Sequence, residues 1–185
     1  MRELVTPRLL LRRWRLADRA PFAALNADPV VRRYFPNTLG PGESDALADS
    51  IEAAFAEHGF GLWAVEERGG EPFLGFVGLS VAPDDLPFVP PGERAVEIGW
   101  RLAREHHGKG YATEAARAAL RDGFERVGLR EVVSFTAAVN APSIRVMERI
   151  GMTRDPDGDF DHPRVPAGSE LRRHVLFRIR SGAHT

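Results

Sequence analysis

From Glu97 to Ala115 the chain reads Glu-Ile-Gly-Trp-Arg-Leu-Ala-Arg-Glu-His-His-Gly108-Lys109-Gly110-Tyr-Ala-Thr-Glu-Ala. An alternating stretch runs into two glycines, and a run of small residues follows them. The chemistry such a stretch can do is to hold an anion. The first N–H groups of a helix have no partner within it, and the helix dipole places partial positive charge at the same end. Gly108 and Gly110 let a phosphate approach the main chain, Ala112 keeps the approach open, and Lys109, the only lysine of the chain, adds a full charge. Taken alone, the glycine pair serves equally well as a tight strand-to-helix turn. Two sharper phosphate motifs fail. The P-loop pattern needs a glycine five places before Gly108, where Ala103 stands, and the dinucleotide fingerprint needs a third glycine where Thr113 stands.

The elements that must position this turn can be read from spacing. Leu9 to Trp14 reads as a short opening strand, and Asp18 stands where it would cap a helix over Phe22, Ala23 and Leu25 to about Asn26. Asp28-Pro29 breaks that helix, and Val30 to Tyr34 predicts a further helical turn. Ala46, Leu47, Ser50, Ile51, Ala54 and Phe55 recur at helical spacing up to Gly59. Leu62–Glu66 and Phe73–Val81 form a hairpin across Gly69-Gly70. Residues 83–93, with four prolines, predict a surface loop. Val96, Ile98, Trp100 and Leu102 alternate as a strand, and the helix after Gly110 runs through Leu120 and Val127 to Gly128. A strand over Val132–Phe135, a helix from Pro142 to Ile150 and a strand over Val175–Ile179 complete the chain. Strands and helices alternate around one hairpin, so the class is α/β (α+β) with a mixed sheet, in a single domain over 1–185.

Thirty residues beyond Gly110 comes Asn140-Ala-Pro-Ser143-Ile-Arg-Val-Met147-Glu-Arg-Ile-Gly151, directly after a strand and opening a helix. Together with Gly108-Lys-Gly-Tyr-Ala-Thr-Glu-Ala115 and the opening Thr6-Pro-Arg-Leu-Leu-Leu-Arg12, this text resembles the GNAT superfamily of acyl-CoA-dependent N-acetyltransferases, in particular its RimJ/RimL-like branch. The element order matches that family over nearly the whole chain. The resemblance implies a mostly antiparallel central sheet flanked by helices, with two central strands splayed to admit the pantetheine arm of acetyl-CoA. Those strands would be Ala95–Leu102 and Glu131–Thr136. Trp100, Arg101 and Leu102 would offer backbone groups to the arm. The amides of Gly108, Lys109, Gly110, Tyr111, Ala112 and Thr113 would take the pyrophosphate, and Asn140 would bond the pantetheine. The family turn usually opens with Gln or Arg three places before the first glycine. Here Glu105 stands there, and Arg104 would supply the missing charge; His107 replaces a common Trp and could approach a phosphate.

Acetylating an amine needs a neutral nucleophile, a polarised thioester and a proton for the departing thiolate. Many members use a tyrosine seven places after the asparagine as the acid, but Met147 stands there. Ser143 matches the acid of RimL-like proteins, though serine in a first turn also caps helices. Glu97, on the cofactor-side strand, is the candidate base, acting directly or through water. Glu114 is expected to complement the helix N-terminus. The acceptor pocket would come from residues 30–42, 83–93 and 155–171. The implied activity is acetyl transfer from acetyl-CoA to a primary amine, a protein N-terminal α-amine or a small molecule, in a ternary complex. The alternative is a non-catalytic acyl-CoA sensor on the same fold.

Composition bounds the rest. The 185 residues carry 25 basic and 26 acidic side chains, a formal charge of −1, with 43% hydrophobic residues and no cysteine. Near-neutral charge speaks against coating nucleic acid or an anionic membrane, and the absent cysteines remove disulfides, thiolate metal sites and an acyl-cysteine route. His106-His107 lack zinc-ligand spacing, and Asp155, Asp157 and Asp159 lack the glycine and glutamate of a calcium loop, so no metal is expected. Met1-Arg2-Glu3 leads into a strand-like pattern without a signal-peptide core, which predicts a cytoplasmic protein. Arg172, Arg173, Arg178 and Arg180 make the last strand basic. With His162, Arg164, Trp14, Phe35, Trp63 and Phe88 it could hold an anionic acceptor, or, as a rival, nucleic acid. A homodimer is compatible with the resemblance.

Overall fold

A computed structural model describes residues 3–182; Met1 and Arg2, at the start of the predicted strand-like opening, lie outside them. The described strands are β1 (Leu4–Val5), β2 (Leu9–Arg12), β3 (Leu62–Glu67), β4 (Gly75–Val81), β5 (Val96–Leu102), β6 (Glu131–Ala137), β7 (Thr153–Arg154), β8 (Phe160–Asp161) and β9 (Arg173–Arg180). The helices are α1 (Arg19–Ala27), α2 (Pro41–His58), α3 (Tyr111–Asp122) and α4 (Ala141–Arg149). One sheet runs in the order β1-β2-β3-β4-β5-β6-β9-β7, with β8 also on β9. Every registered pair is antiparallel except β5 with β6.

That exception makes the cleft. The β5–β6 register consists of one pair, Glu97 with Val133, reinforced by the Ser134 hydroxyl donating to the Ile98 carbonyl at 2.9 Å. Beyond it the strands part, as the expected splay requires. Because strand side chains and peptides alternate with period two, the Ile98 carbonyl facing β6 means that the peptides of Trp100 and Leu102 face the opening. The peptides of Gly99 and Arg101 turn the other way, toward β4. The two faces of β4 and β5 serve different layers. Phe76, Ser80, Glu97 and Arg101 share the face covered by α1, where Phe22 meets Phe76 at 5.9 Å. Leu79 and Ile98 lie on the α3 face, where Ala115, Ala116 and Ala119 are buried. A Cβ on Gly123, just past α3, would come within 2.7 Å of the Leu79 side chain, so a larger residue there would push that leucine aside.

Several expectations are corrected. Asp18 does not cap α1 through its side chain. Its carboxylate accepts instead from the Arg12 guanidinium at 2.7 and 2.8 Å and from the Arg15 amide at 2.7 Å. Arg12 is 1% exposed and a buried cation demands an anion, so the pair outcompetes the cap. The helical turn expected over Val30 to Tyr34 shrinks to a single α-turn, the Arg32 amide on the Asp28 carbonyl, followed by a tighter turn from Arg32 to Phe35, and no longer helix forms. Trp63 belongs to the core and is not available to an acceptor, lying 4.7 Å from Phe55, and the half-buried Trp14 packs against the same core, edge-on to Phe22 at 4.7 Å. Glu114 does stand in the first turn of α3, as expected, and its carboxylate also accepts from the Thr6 hydroxyl (2.7 Å), the Arg8 amide (2.9 Å) and the Arg8 Nε (2.7 Å). The opening Thr6-Pro-Arg8 text is thereby explained, since it clamps α3 to the sheet edge.

Candidate active site

The glycine turn is built as the sequence reading expects. Gly108 and Gly110 have φ of 75° and 82°, a left-handed backbone that suits glycine, and α3 starts at Tyr111. Among the described residues, the amides of Gly108, Lys109, Gly110, Tyr111, Ala112 and Thr113 donate to no protein acceptor; the Glu114 amide, on the Gly110 carbonyl at 3.0 Å, makes the first helical bond. Arg8 steadies the turn from behind, donating to the Lys109 carbonyl at 2.9 Å with its guanidinium 4.7 Å from the centre of the Tyr111 ring. The Tyr111 hydroxyl donates to Glu67. This bond and the Glu67 charge keep the phenol protonated to higher pH than usual. His107 points back and bonds the Leu102 carbonyl at 2.8 Å through Nε2, so it braces the turn. Arg104 lies 3.7 Å from Asp28 across the surface.

On the other lip of the cleft, Asn140 opens α4. Its Oδ1 accepts from the Ser143 amide at 3.3 Å, and its Nδ2 donates to Thr136 Oγ1 at 2.8 Å and to Ser143 Oγ at 3.1 Å. Both amide hydrogens are thus committed within the protein. Ser143 Oγ, already accepting from Asn140, keeps its own hydrogen to give. Removing this arrangement in Asn140→Ala is expected to cost about 1 kcal/mol of stability, the usual loss for an N-cap, read from a denaturant melt. Met147 is buried in the main core, which accounts for the absence of an acidic side chain there.

Glu97 sits at the apex of the splay, on the α1 face. The Ser80 hydroxyl donates to Glu97 Oε1 at 2.9 Å. Burial penalises the charged carboxylate and pushes its pKa up to about 7, with the Ser80 bond pulling partly back. Ser80 was not singled out from sequence; its signal is its place on the strand paired with β5. The segments expected to shape the acceptor pocket converge on this same face. Loop 83–93 meets 155–171 through Phe88 and Phe160 (5.3 Å) and through the Asp85–Arg164 ion pair (2.8 Å). Phe135 and His174 complete that wall, 6.2 Å apart. The Arg32–Phe35 stretch covers Arg101. The basic last strand is not a free cationic surface: Arg178 pairs with Glu131 and Asp155, Arg180 with Glu131, and Arg172 and Arg173 with Asp161.

The comparisons with known proteins agree with this geometry. A family model described as an acetyltransferase (GNAT) domain matches residues 8–153. An uncharacterized Bacillus subtilis protein, YkkB, is 33% identical over 151 residues, 81% of this chain and 84% of that protein. An uncharacterized N-acetyltransferase of the same organism, YnaD, is 29% identical over 177 residues, 95% of each chain. Among solved structures, an acetyltransferase from Agrobacterium tumefaciens superposes with a TM-score of 0.78 at 26% identity, covering 97% of this chain and 95% of that one.

Proposed function

The chain belongs to the acetyltransferase (GNAT) family, and on that premise we propose that it moves an acetyl group from acetyl-CoA to a primary amine by direct attack within a ternary complex. The observation that carries this reading is the bank of six unpartnered amides from Gly108 to Thr113 beside the opening between β5 and β6. Main-chain donors at a helix start match a diphosphate in charge and in reach. The Trp100 peptide and the Leu102 amide, unregistered with β6, match an extended amide-bearing arm lying in that opening, the Leu102 carbonyl being held by His107. Arg101 offers its peptide to β4 and is left out of this set. The finer placement, in the RimJ/RimL-like branch, rests on the Gly108–Ala115 and Asn140–Gly151 text.

Acetyl-CoA brings the activated thioester; the chain's own residues do the rest. Glu97 takes the proton of the incoming ammonium, directly or through one water, and Ser80 holds its carboxyl in place. Ser143 gives its hydroxyl hydrogen toward the departing sulfur, oriented by Asn140. No cysteine is present to carry the acetyl group, which supports direct attack over a covalent relay.

The test is thiol release from acetyl-CoA across a panel of amines, with both substrates varied. Intersecting double-reciprocal lines are expected, whereas parallel lines would refute the ternary complex. Ser143→Ala is expected to lower kcat about tenfold with little change in either KM. A thiol leaving group, of pKa about 8.5, needs less protonation than an amine needs deprotonation, of pKa about 8 to 10. An unchanged kcat would remove Ser143 from the mechanism.

A further inference from the structure

Two arginines on the Glu97 face of the sheet lack what the other enclosed arginine has. Arg12 is answered by Asp18 at 2.7 Å and Glu66 at 2.6 Å. Arg32 is 8% exposed and makes no ion pair among the described residues; its Nε donates to the Asn37 carbonyl at 2.8 Å. Arg101 makes none either. Its Nη1 donates to Asn26 Oδ1 at 2.7 Å, and its Nε is buried with no partner. Asn26 is itself buried and tied to Ser44 Oγ at 2.9 Å, so it lends Arg101 a neutral dipole only. Glu43, the acid whose charge reaches Arg32, spends a carboxylate oxygen on the Gly40 amide at 2.8 Å. Both guanidinium groups lie 4.4 Å from the centre of the Phe35 ring, and Phe35 is nevertheless 38% exposed.

Guanidinium groups drawn out of water without an anion are costly, and two side by side are costlier. An arrangement of this kind is stable enough to persist but is completed by an oxyanion. Burial and the Arg32 charge lower the Arg101 pKa to about 9, which leaves it charged at neutral pH. Arg101 stands four residues beyond Glu97 on the same strand face, about 13 Å along the strand.

We propose that Arg32 and Arg101, both packed against Phe35, form the acceptor subsite for an oxyanion, so that the amine this protein acetylates carries a carboxylate or a phosphate. The inference rests on the reading of the Glu97 cleft as the place of acetyl transfer. The amine lies at Glu97 while the anion is gripped at the α1 side, and a planar fork of N–H donors suits either oxyanion. Phe35, in the stretch between α1 and α2, covers the bound end.

The experiment compares matched acceptors: 4-aminobutyrate against 4-aminobutanamide, and O-phosphoethanolamine against ethanolamine. The anionic member of at least one pair is expected to have a kcat/KM at least about tenfold higher, as a charge-assisted hydrogen bond supplies. The pair that responds identifies carboxylate or phosphate. Arg32→Gln and Arg101→Gln each bring the ratio toward one, and Arg101→Lys, which keeps the charge without the fork, gives an intermediate ratio. Thermal melts verify folding; if Arg101→Gln does not fold, Arg32→Gln carries the test. Equal rates within both pairs, or a preference that survives Arg32→Gln, overturns the proposal. If no amine at all releases thiol, the reading of the cleft has failed while the subsite stays testable. Butyrate or methyl phosphate then raises the melting temperature of the wild type and not of Arg32→Gln, and the absence of any rise overturns the subsite too.

Discussion

Glu97→Gln is expected to lower kcat by about 10²- to 10⁴-fold, the range for losing a general base. Glutamine preserves the shape and still accepts from Ser80, so the change isolates the proton-taking function. The pH profile gives the sharper evidence. The wild-type carboxyl titrates at about 7 because burial opposes its charge. Below that pH it holds a proton and cannot take another, so kcat/KM falls with a limiting slope of one on the acid side. That limb disappears in Glu97→Gln, leaving only the titration of the amine. Stability must move in the opposite sense. In the unfolded chain the carboxyl ionises near 4.5, whereas in the folded protein it stays neutral up to about 7. The unfolded state therefore loses its proton first, and stability is drained as pH rises from about 4.5 to about 7, then levels off. Glu97→Gln escapes this loss, so its melting temperature declines less than that of the wild type between pH 5 and pH 8. A merely structural glutamate would show the melting difference without the kinetic limb.

What sequence made legible was local. The glycine turn and the helix starts at Tyr111 and Ala141 are properties of neighbouring residues, and main-chain donors at a helix start follow from that geometry wherever the helix lies. The splay was implied by a resemblance and appears as the single Glu97–Val133 pairing. What escaped depends on how the fold turns side chains toward one another, whether their positions are near or far in the chain. Asp18 has a capping residue's type and place, yet Arg12, brought alongside by β2, takes both of its oxygens. Asn140, expected to bond the pantetheine, also holds Thr136 and Ser143 through its amide, ties that its residue type does not announce. The arginines that look like an anion site, on the last strand, are neutralised by Glu131, Asp155 and Asp161. The two enclosed arginines that make no ion pair among the described residues, Arg32 and Arg101, come from segments about seventy residues apart, and no periodicity links them. Charge pairing across a sheet is a tertiary fact.

The phosphate turn invites a substitution that separates charge from shape. Gly108→Asp is expected to raise the KM for acetyl-CoA about 30- to 100-fold and to leave kcat at saturation nearly intact. Gly108 has φ of 75°, a conformation that aspartate and asparagine tolerate better than other side chains. A Cβ built there meets nothing within 4 Å, so the fold accepts the new side chain. Gly110 would be a poorer choice, since its Cβ would come 3.4 Å from the Arg8 guanidinium that steadies the turn. The aspartate sets a full negative charge among the six amides that face no protein acceptor. A like charge about 4 Å away in surroundings of effective dielectric about 20 repels by up to about 4 kcal/mol, and screening leaves roughly half, which is the stated range of KM. Gly108→Asn supplies the control: it has the same volume and backbone strain without the charge, and its KM should rise only a few-fold. Added salt should narrow the gap between the two variants, because it screens repulsion and leaves strain untouched. Equal KM values for the aspartate and asparagine variants would mean that no diphosphate rests on these amides, and the binding half of the mechanism would have to be sought elsewhere in the cleft.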